Sequence, residues 1–204
     1  NVNPNIPYGM LLRVNSEIQI IKRFLNIQKK IAVIPKVEGK TPTDVFNKLL
    51  HISKELDVLN NQGIDPSAVF AQVMRLYEDV STVLKFLNIT DNTFPPAKND
   101  NSKPKDAFME VQNFNKYIKR LQRIFDIDRT SFSGLQKDTI VPEDTFILVG
   151  MANAEFQTIK AYLGLTHEVT PPAIFYKDKT PSDVEQVIVW LTRRIQLIDT
   201  LEVQ

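Results

Sequence analysis

The side chains in this chain that could do acid–base or ligand chemistry are few and far apart. His51 and His167 are the two histidines. Neither has a carboxylate at a ligand spacing such as His-Glu-x-x-His, so each reads as a surface or capping residue. Ser131 and Ser133 lack the strand–turn–helix elbow of an activated nucleophile. Six glycines are scattered with no phosphate-cradling loop. No catalytic residue, metal site or cofactor is expected, and the chain reads as a non-enzyme. Two carboxylate series remain. Asp44, Asp106 and Asp183 each stand two residues after a proline. A cation could use such a set, but the third position of a helix is where a carboxylate meets free N–H groups, so capping is the stronger reading. Glu17, Asp79 and Glu155 recur as well, with Arg13 and Arg75 four residues before the first two. These read as i, i+4 ion pairs on a solvated face. A charged ligand site between units is the sharper alternative.

The elements that position these residues repeat. Phe24-Leu25-Asn26-Ile27 matches Phe86-Leu87-Asn88-Ile89 and Tyr162-Leu163-Gly164-Leu165 at offsets of 62 and 76. Thr41-Pro42-Thr43-Asp44 matches Lys103-Pro104-Lys105-Asp106 and Thr180-Pro181-Ser182-Asp183 at 62 and 77. Landmarks that move together describe architecture. Pro4, Pro66, Pro142, Pro42, Pro104 and Pro181 each fall at an expected helix start, where the missing N–H costs nothing. A 3.6-residue apolar period then predicts six helices, at about 6–27, 42–60, 66–88, 104–125, 143–164 and 181–201. The fold class is all-α: three helix–proline linker–helix units, about 3–60, 65–125 and 141–204, in a single domain over 1–204, as an elongated bundle or short solenoid.

The linkers are long: residues 28–40, 90–102 and 166–179, with Pro35, Pro95-Pro96 and Pro171-Pro172 near their middles. Thirteen extended residues reach about 40 Å. A helix of 20 residues spans only about 30 Å. A linker can therefore run back along a helix and start the second helix at the same end as the first. Val33-Ile34, Phe94 and Ile174-Phe175 would plug into the bundle. The turn at 60–65 should make the helices beside it antiparallel neighbours, and 126–141 is the candidate lid or flexible boundary. Trp190 reads as half-buried core.

Binding is expected on the linkers, at Phe94, Pro95, Pro96, Pro171, Pro172, Phe175, Tyr176 and Lys177. Proline-fixed backbone presenting aromatics makes a contact patch, although for 171–179 covering the core is the stronger reading. Asn88-Ile89-Thr90 fits the N-glycosylation pattern but lies in the repeated helix end. Lys+Arg 25 against Asp+Glu 24 leaves a net charge of +1, which gives no pull toward nucleic acid or an anionic membrane. No apolar run is long enough to span a bilayer. With no cysteine, disulfides are excluded, and the start at Asn1 suggests a mature exported product or an excised piece. The function expected is an interaction or scaffold module of an exported or envelope-associated bacterial protein, periplasmic or secreted with the cytoplasm as the alternative, and with a protein partner. The alternative is a ligand-binding or sensory domain with a small-molecule pocket between units.

Overall fold

The computed structural model describes residues 37–59, 64–127, 139–168, 170, 174 and 176–199, with 4, 7, 10, 11, 14, 18, 22 and 26–28. Among the described residues there are five helices and no strand: α1 (Pro42–Leu59), α2 (Pro66–Phe86), α3 (Pro104–Ile124), α4 (Pro142–Tyr162) and α5 (Pro181–Asp199). Six were expected. The first of those, over 6–27, falls for the most part outside the described residues, as do the core of the 126–141 segment and the Val33-Ile34 plug.

Each helix opens on proline, and most close their first turn the same way. The N–H groups of Thr41, Lys103, Val141 and Thr180 donate to Asp44, Asp106, Asp144 and Asp183 at 2.8–3.0 Å. Asp65 caps α2 by accepting from the Ala68 N–H at 2.8 Å. The carboxylates are caps, because they sit where four backbone N–H groups lack helical partners. The repeated tetrapeptides are the matching stops. Asn88 and Gly164 adopt left-handed φ of 56° and 77°. Ile89 and Leu165 then donate back to Leu84 and Lys160 at 2.9 and 2.8 Å. This six-to-one bond returns an orphan carbonyl to a partner, and the apolar residue after it packs on the last turn. Asp126 and Ile127 end α3 likewise, with φ of 52° and a 2.8 Å bond to Gln122.

Helices α2 to α5 form a four-helix bundle in which α2 packs on α4 and α5, and α3 packs on the same two. All four run parallel. Pro66, Pro104, Pro142 and Pro181 meet at one end around a cavity of about 10 Å³, room for about one water. Contacts keep that direction along the bundle: Ala107 meets Val184 at the start, Tyr117 meets Gln196, and Arg120 meets Asp199 near the end. Four helix dipoles therefore point the same way, with their positive ends together. The carboxylates of Asp65, Asp106, Asp144 and Asp183 sit at that end and offset the repulsion.

Helices joined by a linker lie on the diagonal of the bundle: α2 opposite α3, and α4 opposite α5. Each linker returns down the outside of a helix from the other unit. The two units interlock, so the result is a bundle and not a solenoid, in which units touch only along a line. The core is made of the predicted stripes, with Val73, Leu76, Val80, Val83, Val111, Phe114, Val149, Phe156, Ile188 and Leu191 at 0% exposure.

Helix α4 is buried all round. Its inner face joins that core, while Ala154 on its back clusters with Met10, Val14, Phe46 and Leu49. Helix α1 lies outside the four-helix bundle, and its buried Phe46 and Leu49 belong to that second cluster. It was expected as the antiparallel neighbour of α2, but among the described residues the two share no extensive packing.

Candidate functional site

The second linker, residues 87–103, descends α5 against the helix direction. Asp91 accepts from Arg194 Nε at 2.6 Å. Thr93 Oγ1 accepts from Trp190 Nε1 at 2.9 Å. The Phe94 and Pro96 carbonyls accept from Arg193 and Gln186 at 3.0 and 2.8 Å. Lys98 pairs with Asp183 at 2.7 Å, and the Ser102 hydroxyl donates to Glu185. Seven linker residues thus pass eleven of the helix, or about 16 Å of axis, which an extended chain covers with slack for a local turn. That turn is at Asp91, whose carboxylate takes both the N–H and the hydroxyl of Thr93 at 2.9 and 2.6 Å.

Arg194 is the fixed point. It is 5% exposed, lies 4.2 Å over the Tyr77 ring and 5.6 Å from the Trp190 ring, and donates to the Tyr77 carbonyl at 3.3 Å. Partial burial favours the neutral form of Asp91, but the Thr93 donors and the Arg194 guanidinium outweigh it and hold the carboxyl below its usual range. Held this way, the backbone turns Phe94 outward, with its side chain 76% exposed and Pro95 exposed beside it. The expectation that Phe94 plugs the bundle is corrected. The anchoring is polar, because Trp190 and Tyr77 already fill the space beneath the linker.

The third linker is held from within. Thr170 is 3% exposed, and its hydroxyl lies 2.9 Å from both oxygens of Asp79. Lys160 Nζ donates to Asp79 at 2.5 Å and to the Glu168 carbonyl at 2.7 Å. Gln157 donates to Asp79 and to Thr170 at 2.6 and 2.9 Å. Asp79 is 1% exposed and Lys160 2%. Burial pushes the Asp79 carboxyl up, against the pull of Lys160, Thr170 and Arg75. Glu155 is also 1% exposed and accepts from Gln122 across α3·α4. The solvated-face reading of Arg75, Asp79 and Glu155 is therefore overturned: all three lie in the bundle interior. Arg13 and Glu17 lie outside the described residues.

Further along, Tyr176 packs edge-on to Phe70 at 4.9 Å and Lys179 lies 4.7 Å over the same ring. Burial and nearby Glu78 push the Tyr176 phenol up. Ile174, another expected plug, is 64% exposed. Lys177 is exposed; Pro171, Pro172 and Phe175 lie outside the described residues. The predicted contact residues do not converge. Phe94, Pro95 and Pro96 share the outer face of α5, whereas Tyr176 and Lys177 lie along α2.

Lys160, Thr170, Gln157, Asp91 and Arg194 were not singled out from the sequence. One signal was present. At the offset of 76, Lys160 falls where the repeat has Leu84, and a lysine at a core position needs a buried partner.

Among the described residues, no three His, Asp or Glu side chains come together to hold a metal ion, and no helix is long and apolar enough to cross a membrane. No protein-family model, curated protein or solved structure matches the chain.

Proposed function

We propose that the chain is a non-catalytic interaction module that recognises a protein partner through its second proline linker, with Phe94 and Pro95 as the contact. The observation that carries this reading is the exposure of Phe94, at 76%, on a backbone fixed from Asp91 to Lys98. An aromatic side chain in water gains from burial against a partner. A backbone already held loses little freedom on binding, which is what makes a displayed residue an effective anchor. Tyr176 and Lys177 are a lesser part of the same surface reading.

We also read residues 3–60 as a third copy of the unit. Asn26 has φ of 52° and the Ile27 N–H reaches the Lys22 carbonyl at 2.8 Å, the stop that ends α2, α3 and α4. Thr41 and Asp44 repeat the start of α5. The periplasmic or secreted setting belongs to the proposal. The second reading, a small-molecule pocket between units, has less support, since the space where the four proline ends meet is about 10 Å³.

A photo-crosslinking amino acid at position 94, set against the same group at exposed Met109 on α3, tests the reading. Position 94 should yield a discrete protein adduct in extract of the source cells and position 109 should not. Identical products from both positions, or none from 94, would overturn it.

A further inference from the structure

The prolines of the second linker fix its shape as well as its direction. The rings of Pro95 and Pro96 hold φ near about −65°. Phe94 and Pro95 each precede a proline, which confines them to the extended range of ψ. Together these are the angles of a polyproline II helix, which has three residues per turn. Burial follows the same period. Thr93 is half-buried, Phe94 and Pro95 are exposed, Pro96 is half-buried, and Ala97 and Lys98 are exposed. Thr93 meets Trp190 and the Pro96 carbonyl meets Gln186, and those two stand one turn apart on α5. One edge of the linker therefore rests on α5, and two edges face out. Phe94 and Ala97 share the first outward edge, Pro95 and Lys98 the second.

The chemistry of those two edges decides what can cover them. A strand that pairs with an extended edge needs N–H groups from it, and Pro95 and Pro96 have none. Sheet-type pairing is thus blocked where the linker is most exposed. What the linker offers is flat rings and carbonyls that only accept. Tryptophan and tyrosine answer both, with a ring face for packing and an N–H or O–H to donate. Charge sets the direction. Arg193 is exposed and bonds the Phe94 carbonyl at 3.0 Å, so a cation lies beside the Phe94 ring. We infer that residues 93–98 are a prefolded polyproline II ligand, and that the partner is a domain with a groove lined by tryptophan or tyrosine and a carboxylate on its rim next to the Phe94 pocket. Because α5 already holds the ligand in its bound shape, little freedom is lost on docking. This inference rests on the role proposed for Phe94 and names the chemistry of its partner.

The test uses the protein that the crosslinker at position 94 captures, purified and titrated with the full chain. The aromatic side-chain resonances of that protein, tryptophan indole N–H above all, should shift and saturate. Pro95→Ala keeps Phe94 and restores an N–H, and it should weaken binding by about tenfold or more, as loss of a central contact does. Arg193→Gln can still donate to the Phe94 carbonyl but carries no charge. It should weaken binding and flatten its dependence on salt. Circular dichroism melts matching the parent confirm that each variant folds.

Pro95→Ala binding as tightly as the parent, or shifts confined to the backbone amides of one strand of the partner, would overturn the polyproline reading and leave Phe94 as a contact. A salt dependence that Arg193→Gln leaves unchanged would remove the acidic rim. No adduct at position 94 removes both this inference and the function on which it rests.

Discussion

Phe94-Pro95-Pro96 and Thr170-Pro171-Pro172 stand 76 residues apart, each in a linker that joins two diagonal helices. Each follows the same left-handed stop, at Asn88 and Gly164. Yet Phe94 is 76% exposed and Thr170 is 3% exposed. The difference comes from the helix each linker crosses. The second passes α5, where Trp190 and Arg194 hold it by its early residues and leave no gap for an aromatic ring. The third passes α2, where Asp79, paired with Lys160 of α4, needs a polar partner more than an apolar one. One linker is fastened at the rim and can display a side chain. The other is stitched into the bundle by a buried ion pair.

The largest effect expected is at that ion pair. Lys160→Met leaves Asp79 buried without its cation and should cost about 3–5 kcal/mol, read from the denaturant midpoint. Replacing both partners, Asp79→Leu with Lys160→Met, should recover most of it. A double variant as unstable as the single one would mean that the pair is not the fastening.

Next is Thr170→Val, which removes the hydroxyl shared by Asp79 and Gln157 and should cost about 1–3 kcal/mol. Hydrogen exchange locates the loss: amides of 165–180 should exchange faster while those of 87–103 keep their rate. Equal acceleration in both linkers would show that they are not held independently.

The second linker has a pH signature of its own. Partial burial would raise Asp183, but Lys98 and Thr180 lower it to about 2 from the ordinary 3.8. A carboxyl depressed in the folded state adds stability above pH 3.8, and that stability is lost as pH falls toward 2. Asp183→Asn should therefore lower the melting temperature at pH 7, with the gap to the parent closing between pH 3.8 and about 2. A gap that stays constant across that window would place the effect elsewhere. The smallest change should come from Phe94→Thr, which imports the residue of the other linker. Facing solvent with no acid opposite, it should alter stability by less than about 0.5 kcal/mol.

Much of the frame was legible in the residues. Proline with a carboxylate two residues later marks a helix start, and Asn or Gly between apolar residues marks a stop, because both answer backbone groups that the helix itself cannot satisfy. The return of the second and third linkers followed from length alone. The site was less legible. Arg75 and Asp79 are spaced four apart whether their face is wet or buried, so spacing could not tell a solvated face from the core, where Asp79 pairs with Lys160. Phe94 looked like a plug because aromatics usually are, and only the presence of Trp190 and Tyr77 beneath it decided otherwise.

By itself, then, the order of residues determined the local events: where helices begin and end, which stripe of each is apolar, and that the linkers are long enough to run back. Those depend on groups within a few positions of one another. The tertiary structure alone decided that linked helices lie on the diagonal, that α1 stays outside the four-helix bundle, that Lys160 finds Asp79 from 81 residues away, and that Phe94 faces water. Each of those depends on which distant surface fills a space first, and no local pattern carries that information.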